Sequence, residues 1–212
     1  NSPGGSVTAG LVTFTGATVV IQGSYNVTDT QISAGTATFN SAPTLGTLEV
    51  SGGTLDGSAA LAPTGLITWT GGTLAGTGAM NVNGGLAITG AANKALAKPV
   101  TLASLATWDN GRLFLGTGAN LTIQAPGTFD LQGDLLFEWN GGSPQLNNLG
   151  LLKKSAGTGA PGGGVGNNIA FVNSGTVEVQ AGQFLLGGTA ATHPGDFIAT
   201  NPGTTLNFLS QN

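Results

Sequence analysis

The chain contains no cysteine, one histidine, one tyrosine and only five Lys and Arg among its 212 residues. The first absence excludes disulfides, zinc ribbons and thiol nucleophiles together. Five basic side chains cannot neutralise many phosphates, so no nucleic acid is expected as a partner. Charged residues make up 7% of the chain, against roughly a quarter in ordinary soluble domains. That scarcity removes most of the raw material for acid–base chemistry. No apolar run approaches the roughly 18 residues that span a bilayer, so no membrane insertion is expected. The chain opens at Asn1 without a charged-then-apolar leader and closes on a strand-like segment at Leu206 to Leu209. We therefore read it as a processed product or a segment of a larger protein.

What is plentiful is glycine, with 38 residues, beside a 40% apolar content that is enough to build a core. The glycines are ordered. Gly46-Thr47-Leu48-Glu49-Val50-Ser51-Gly52-Gly53-Thr54-Leu55-Asp56-Gly57 recurs 19 residues later as Gly65-Leu66-Ile67-Thr68-Trp69-Thr70-Gly71-Gly72-Thr73-Leu74-Ala75-Gly76. The same step carries Leu48 and Val50 to Ile67 and Trp69, then to Leu86 and Ile88. It predicts Leu105 as the next member of the first column, with Thr107 interrupting the second. Short alternating stretches between Gly-Gly and Asn-Gly turns read as half-buried strands. A unit of this length cannot bury its own apolar face, whereas stacked units share one continuous core.

The prediction is an all-β chain, a parallel β-helix or β-solenoid with coils of about 19–28 residues. We expect a single solenoid domain over 1–212, with regular coils over about 41–110 and looser coils with longer loops over about 111–212. Ala91 to Lys98 reads as one helical turn or a loop leaving a coil. Ser155 to Asn168, the lowest-complexity stretch, reads as a protruding loop.

Gly71-Gly72-Thr73-Leu74-Ala75-Gly76-Thr77-Gly78, together with Phe171-Val172-Asn173-Ser174-Gly175-Thr176-Val177-Glu178-Val179-Gln180, resembles the repeats of bacterial secreted or surface β-helix proteins of the filamentous-adhesin and autotransporter-passenger type. The resemblance implies a right-handed parallel β-helix at the cell surface or outside the cell, presenting loops or a flat face to a partner. The implied partners are neighbouring repeats of the parent chain and extracellular or cell-surface glycans.

Carboxylates are the first candidates for chemistry. Asp130, Asp134 and Glu138 share even positions with Gln132, while Leu131, Leu135, Phe137 and Trp139 are odd. In a strand the acids then face water, where oxygen ligands could hold a weakly bound calcium ion; no other cofactor is expected. Polysaccharide lyases and hydrolases also use parallel β-helices, but they need clustered acids or a basic proton acceptor. The one arginine, Arg112, lies in Asp109-Asn110-Gly111-Arg112, where a turn and a local ion pair are expected.

His193 has no Gly-x-Ser-x-Gly elbow to serve and reads as a polar loop residue. Gly157-x-Gly159-x-x-Gly162 matches a dinucleotide fingerprint in form only, because Pro161 and further glycines follow it where a helix is required. Trp69 falls in a core column. Trp108 and Trp139 are less constrained and could each stack on a sugar, with core packing the competing reading. Thr-x-Thr pairs begin at Thr13, Thr28, Thr36 and Thr68, a spacing that does not stack them as an ice-binding lattice would require. The reading is thus a non-enzymatic structural or adhesive module with no catalytic residues. A glycan-binding module is the alternative, and a polysaccharide-active enzyme or an ice-binding protein stands further off.

Overall fold

The computed structural model describes residues 1–159, 162–189 and 192–209. All regular elements among them are β-strands, stacked in parallel as a β-solenoid of about 10 turns. Successive turns lie one strand spacing apart, about 4.8 Å. Three faces run along the axis. The first two share one long ladder that begins with the 16-residue strands Ser6–Ile21 and Ser24–Phe39, and the third is a separate five-stranded sheet. In the first two coils one strand passes through two faces, bending where the register shifts between Phe14, Thr15 and Thr18. In later coils the corner breaks the strand into two.

Period-two alternation decides which side chains enter the core. On the first face one inward column reads Phe14, Ile32, Val50, Trp69, Ile88, Trp108, Leu131, Lys154 and Val179. On the second face Ala37, Leu55, Leu74, Leu96 and Leu115 stack inward. The third contributes Met80, Val100, Leu121, Leu146 and Phe171. These side chains close into one buried cluster, with Trp108, Phe129 and Phe137 packed as a group of aromatic rings.

Coil length is not constant. On the first face Ser24 stands on Ser6, Ile67 on Leu48, Ala106 on Leu86, Phe129 on Ala106 and Val177 on Leu152. The coil therefore lengthens from 18 residues to 25, and the last step on this face, Val177 to Phe197, returns to 20. The step from Leu86 to Ala106 is one residue longer than the repeat predicts, and a one-residue slip exchanges the two faces of a strand. Trp108 rather than Thr107 thus continues the core column, and Leu105, predicted inward, is 54% exposed.

Two further expectations are corrected. Within Ala91 to Lys98, Lys94–Ala97 is a strand of the second face, held between strands Gly72–Ala75 and Leu113–Gly116. Within Ser155 to Asn168, Gly163–Val165 is a fully buried strand rather than part of a protrusion. Glycine is required at its centre: Gly164 has φ +137, and a Cβ there would come within 2.2 Å of the Leu185 carbonyl oxygen. Pro161 lies outside the described residues.

Candidate functional site

The segment from Asp130 to Trp139 crosses a corner, and the corner scatters its acids. Asp130 belongs to strand Thr128–Gln132 on the first face, Glu138 to strand Leu136–Asn140 on the second, and Asp134 to the turn between them. Each meets a different cation. Asp130 points outward, yet it is buried beneath its neighbours and pairs with Lys153 of the next coil at 3.3 Å. Arg112 donates to Glu138 through Nε at 2.6 Å and again through Nη2, and lies over the Phe114 ring. That pairing links adjacent coils and replaces the local Asp109–Arg112 pair expected from the turn. The Arg112 guanidinium is held above its ordinary pKa by the Glu138 hydrogen bond.

Asp134 is the most heavily used of the three. Its carboxylate accepts hydrogen bonds from Lys154 Nζ at 2.9 Å, from the Thr158 backbone N–H at 2.8 Å and from the Gly159 N–H at 3.1 Å. Burial alone pushes Asp134 up, but the Lys154 hydrogen bond, the two backbone N–H donors and the lysine charge outweigh it. The group is lowered to about 2. It clamps the 157–159 loop to the preceding coil. Among the described residues no group of three or more His, Asp or Glu is placed to share a cation, so the acids predicted to face water together are instead distributed between coils.

Sequence reasoning missed the lysines. Lys94, Lys98 and Lys154 are all fully buried. Lys94 stands inward between Gly72 and Leu113, and its ammonium donates to the carbonyls of Gly90, Ala92 and Asn110 at 2.7, 3.0 and 3.3 Å. Burial lowers its pKa while Asp109 opposes the shift. Lys154 similarly reaches the Ala156 and Ala181 carbonyls besides Asp134, tying three coils together. Lys98 Nζ has no hydrogen-bond partner; burial lowers it to about 8, against the pull of Asp56. The available signal was alternation: Leu152 faces inward, so Lys154 must as well.

The tryptophans part company. Trp69 and Trp108 are buried, and Trp108 Nε1–H donates to the Asn110 carbonyl at 3.0 Å, which places this candidate in the core rather than on a binding face. Trp139 is 46% exposed although it stands in register with the buried Leu115. It borders a surface groove of about 390 Å³ with Ser143, Pro144, Asn168 and Thr189. A second groove, about 300 Å³, lies over Arg112, Asp134 and Glu138, and a third of the same size over Leu11, Asp29, Glu49 and Leu66.

His193 accepts the Asn173 backbone N–H at 3.2 Å and lies between the rings of Phe171 and Phe197, half-buried. It is a loop residue, as expected, ahead of the strand Asp196–Ile198, and its ring packs against those two phenylalanines. Thr-x-Thr pairs do not stack, but single threonines do: Thr18, Thr36, Thr54 and Thr73 form one outward column. The neighbouring outward column reads Val20, Thr38, Asp56, so the hydroxyls make a single file and no two-dimensional lattice.

No protein family, curated protein or solved structure matches this chain. Its β-solenoid architecture therefore rests on its own repeat and ladders.

Proposed function

We propose that this chain is a non-enzymatic structural module, a stiff β-solenoid shaft of a secreted or cell-surface protein that spaces or presents what adjoins it. The observation that supports this reading is the unbroken ladder from the strand Ser6–Ile21 to the strand Thr205–Phe208, reinforced by the Arg112–Glu138, Lys153–Asp130 and Lys154–Asp134 pairs between coils. Asp130, Asp134 and Glu138 each pair with a basic side chain of another coil, an engagement that supports a structural use of these acids over acid–base work on a sugar.

Spin labels at positions 31 and 178, joined by seven ladder steps from Gln31 to Glu178, test it. A stiff shaft gives a narrow distance distribution centred near ~34 Å, from seven spacings of about 4.8 Å, and the distribution stays unchanged with salt. A broad or salt-dependent distribution overturns the shaft. Release of reducing ends or unsaturated products from neutral or acidic polysaccharides overturns the non-enzymatic part.

A further inference from the structure

Trp139 occupies a position that the fold assigns to the core. Its strand pairs Phe137 with Leu113 and Trp139 with Leu115, and the other three of these side chains are buried. The backbone then turns through Gly141 and Gly142, both at positive φ, and the indole stays at the surface, nearly half exposed. A large aromatic that leaves a core register gives up burial free energy. Departures from the local rule of this kind concentrate at functional positions.

The ring is also fixed. Its Nε1–H donates to the Gly142 carbonyl at 3.1 Å, which satisfies the one polar atom of the indole and sets its plane. The floor beside it is rigid, since Pro144, Ala170 and Thr189 lie on three successive coils: Ala170 N–H donates to the Pro144 carbonyl and Ala170 bridges to Thr189. The groove therefore runs along the axis for about 10 Å, two coil spacings. At its rim stands Asn168, the one described non-glycine residue at positive φ, 62°. Ser143, Asn168 and Thr189 supply hydroxyl and amide groups, and none of the described lining residues is charged.

From this set we infer that the Trp139 groove is a binding site for a neutral saccharide, with the C–H face of a pyranose ring on the indole and its hydroxyls on Ser143, Asn168 and Thr189. An immobilised aromatic face, uncharged donors and acceptors, and a volume within the range of small-ligand pockets, about 300–1,000 Å³, match an uncharged polyhydroxylated ring. The other two grooves carry carboxylates, or a carboxylate pair with Arg112, and lack an exposed indole. The inference goes beyond the shaft reading and is independent of it, because the groove binds whether or not the body acts as a spacer.

Trp69 and Trp108 are buried, so ligand-dependent change in tryptophan emission reports on Trp139. Titration with short malto-, cello-, xylo-, manno- and chito-oligosaccharides is expected to give saturable emission change with at least one of them. Trp139→Ala, which lacks the reporting indole and is followed by titration calorimetry, should weaken that binding about tenfold or more. Asn168→Gly keeps the left-handed backbone and removes the amide, and should weaken it with unchanged thermal unfolding, so the test survives if the Trp139 variant folds poorly. No response to any of these neutral oligosaccharides, binding of oligouronates or proline-rich peptides alone, or affinity unchanged in both variants overturns the site. The label distances between positions 31 and 178 remain as they were in every case, so failure of the groove and failure of the shaft are told apart.

Discussion

The early and late coils solve the same stacking problem with different chemistry. Through Trp108 the coils are short, their inward columns are apolar apart from Thr30 and the buried Lys94 and Lys98, and glycine makes the corners: a Cβ on Gly57 would approach the Phe39 carbonyl oxygen to 2.0 Å, at φ +127. Beyond Arg112 the coils lengthen, and Val165 stands on Phe137 a full 28 residues later. All three salt bridges among the described residues lie in residues 112–154. The inward column of Val82, Leu102 and Ile123 continues there as Asn148 and Asn173, whose side chains hydrogen-bond to each other at 2.7 Å. Extra residues in a coil bring extra backbone carbonyls and N–H groups to the corner. Those groups need partners once buried, and Lys154, Asp134 and the asparagines supply them.

The sharpest break of that comparison is at the lysines. Lys154→Ala removes the cation from the Asp134 carboxylate and the ammonium donor from the Ala156 and Ala181 carbonyls, and should cost about 3 kcal/mol in urea unfolding. Lys98→Met removes an ammonium without a partner and should be neutral or stabilising by about 1 kcal/mol. The pH dependence follows the same logic. The folded pKa of Lys98, about 8, lies below its unfolded value, so between them the unfolded chain binds the extra proton. Stability should therefore rise from about pH 8 toward pH 10, by up to about 3 kcal/mol, and Lys98→Met should reduce that slope, leaving the part due to Lys94, which burial also lowers. Unfolding midpoints across this range check it.

Backbone comes next. Gly57→Ala in the early coils and Gly164→Ala in the late ones should each lose at least about 2 kcal/mol, since both combine a positive φ with a blocked Cβ position. Equal losses would show that lysine ties supplement the glycine corners and do not replace them. In acid, Asp134 has a folded pKa of about 2, below its unfolded value. Its contribution, about 2 kcal/mol, is present above pH 4 and is lost as pH falls toward 2. Asp134→Asn should remove that acid limb of the stability profile. The smallest effect belongs to Arg112→Ala: the guanidinium is largely in water, where ion pairs are weak, and the thermal midpoint should hardly move.

Much of the architecture is legible in particular residues. Leu48, Ile67 and Leu86, with Val50, Trp69 and Ile88, identify two core columns and the parallel stack because a fixed step of apolar positions has no other economical burial. The fixed 19-residue step fails at Leu105, where one inserted residue inverts the alternation and no local signal marks the insertion, although the longer coils beyond it and the inward Leu131 and Phe137 follow the expected pattern. Beyond that point Trp108 is core, Leu105 is surface, and the glycines of 163–164 are a buried strand. The candidate site is less legible still. Asp130, Asp134 and Glu138 look equivalent by parity, yet a corner between them sends each to a different cation.

Composition and repeat by themselves determined that this is an all-β stacked coil with a shared core, little charge and no thiol chemistry, because those properties depend on local alternation and on residue counts. Tertiary structure alone decided which charges are buried and which tryptophan is free. Both depend on the number of residues between one coil and the next, and therefore on which side chains from neighbouring coils meet at the same corner.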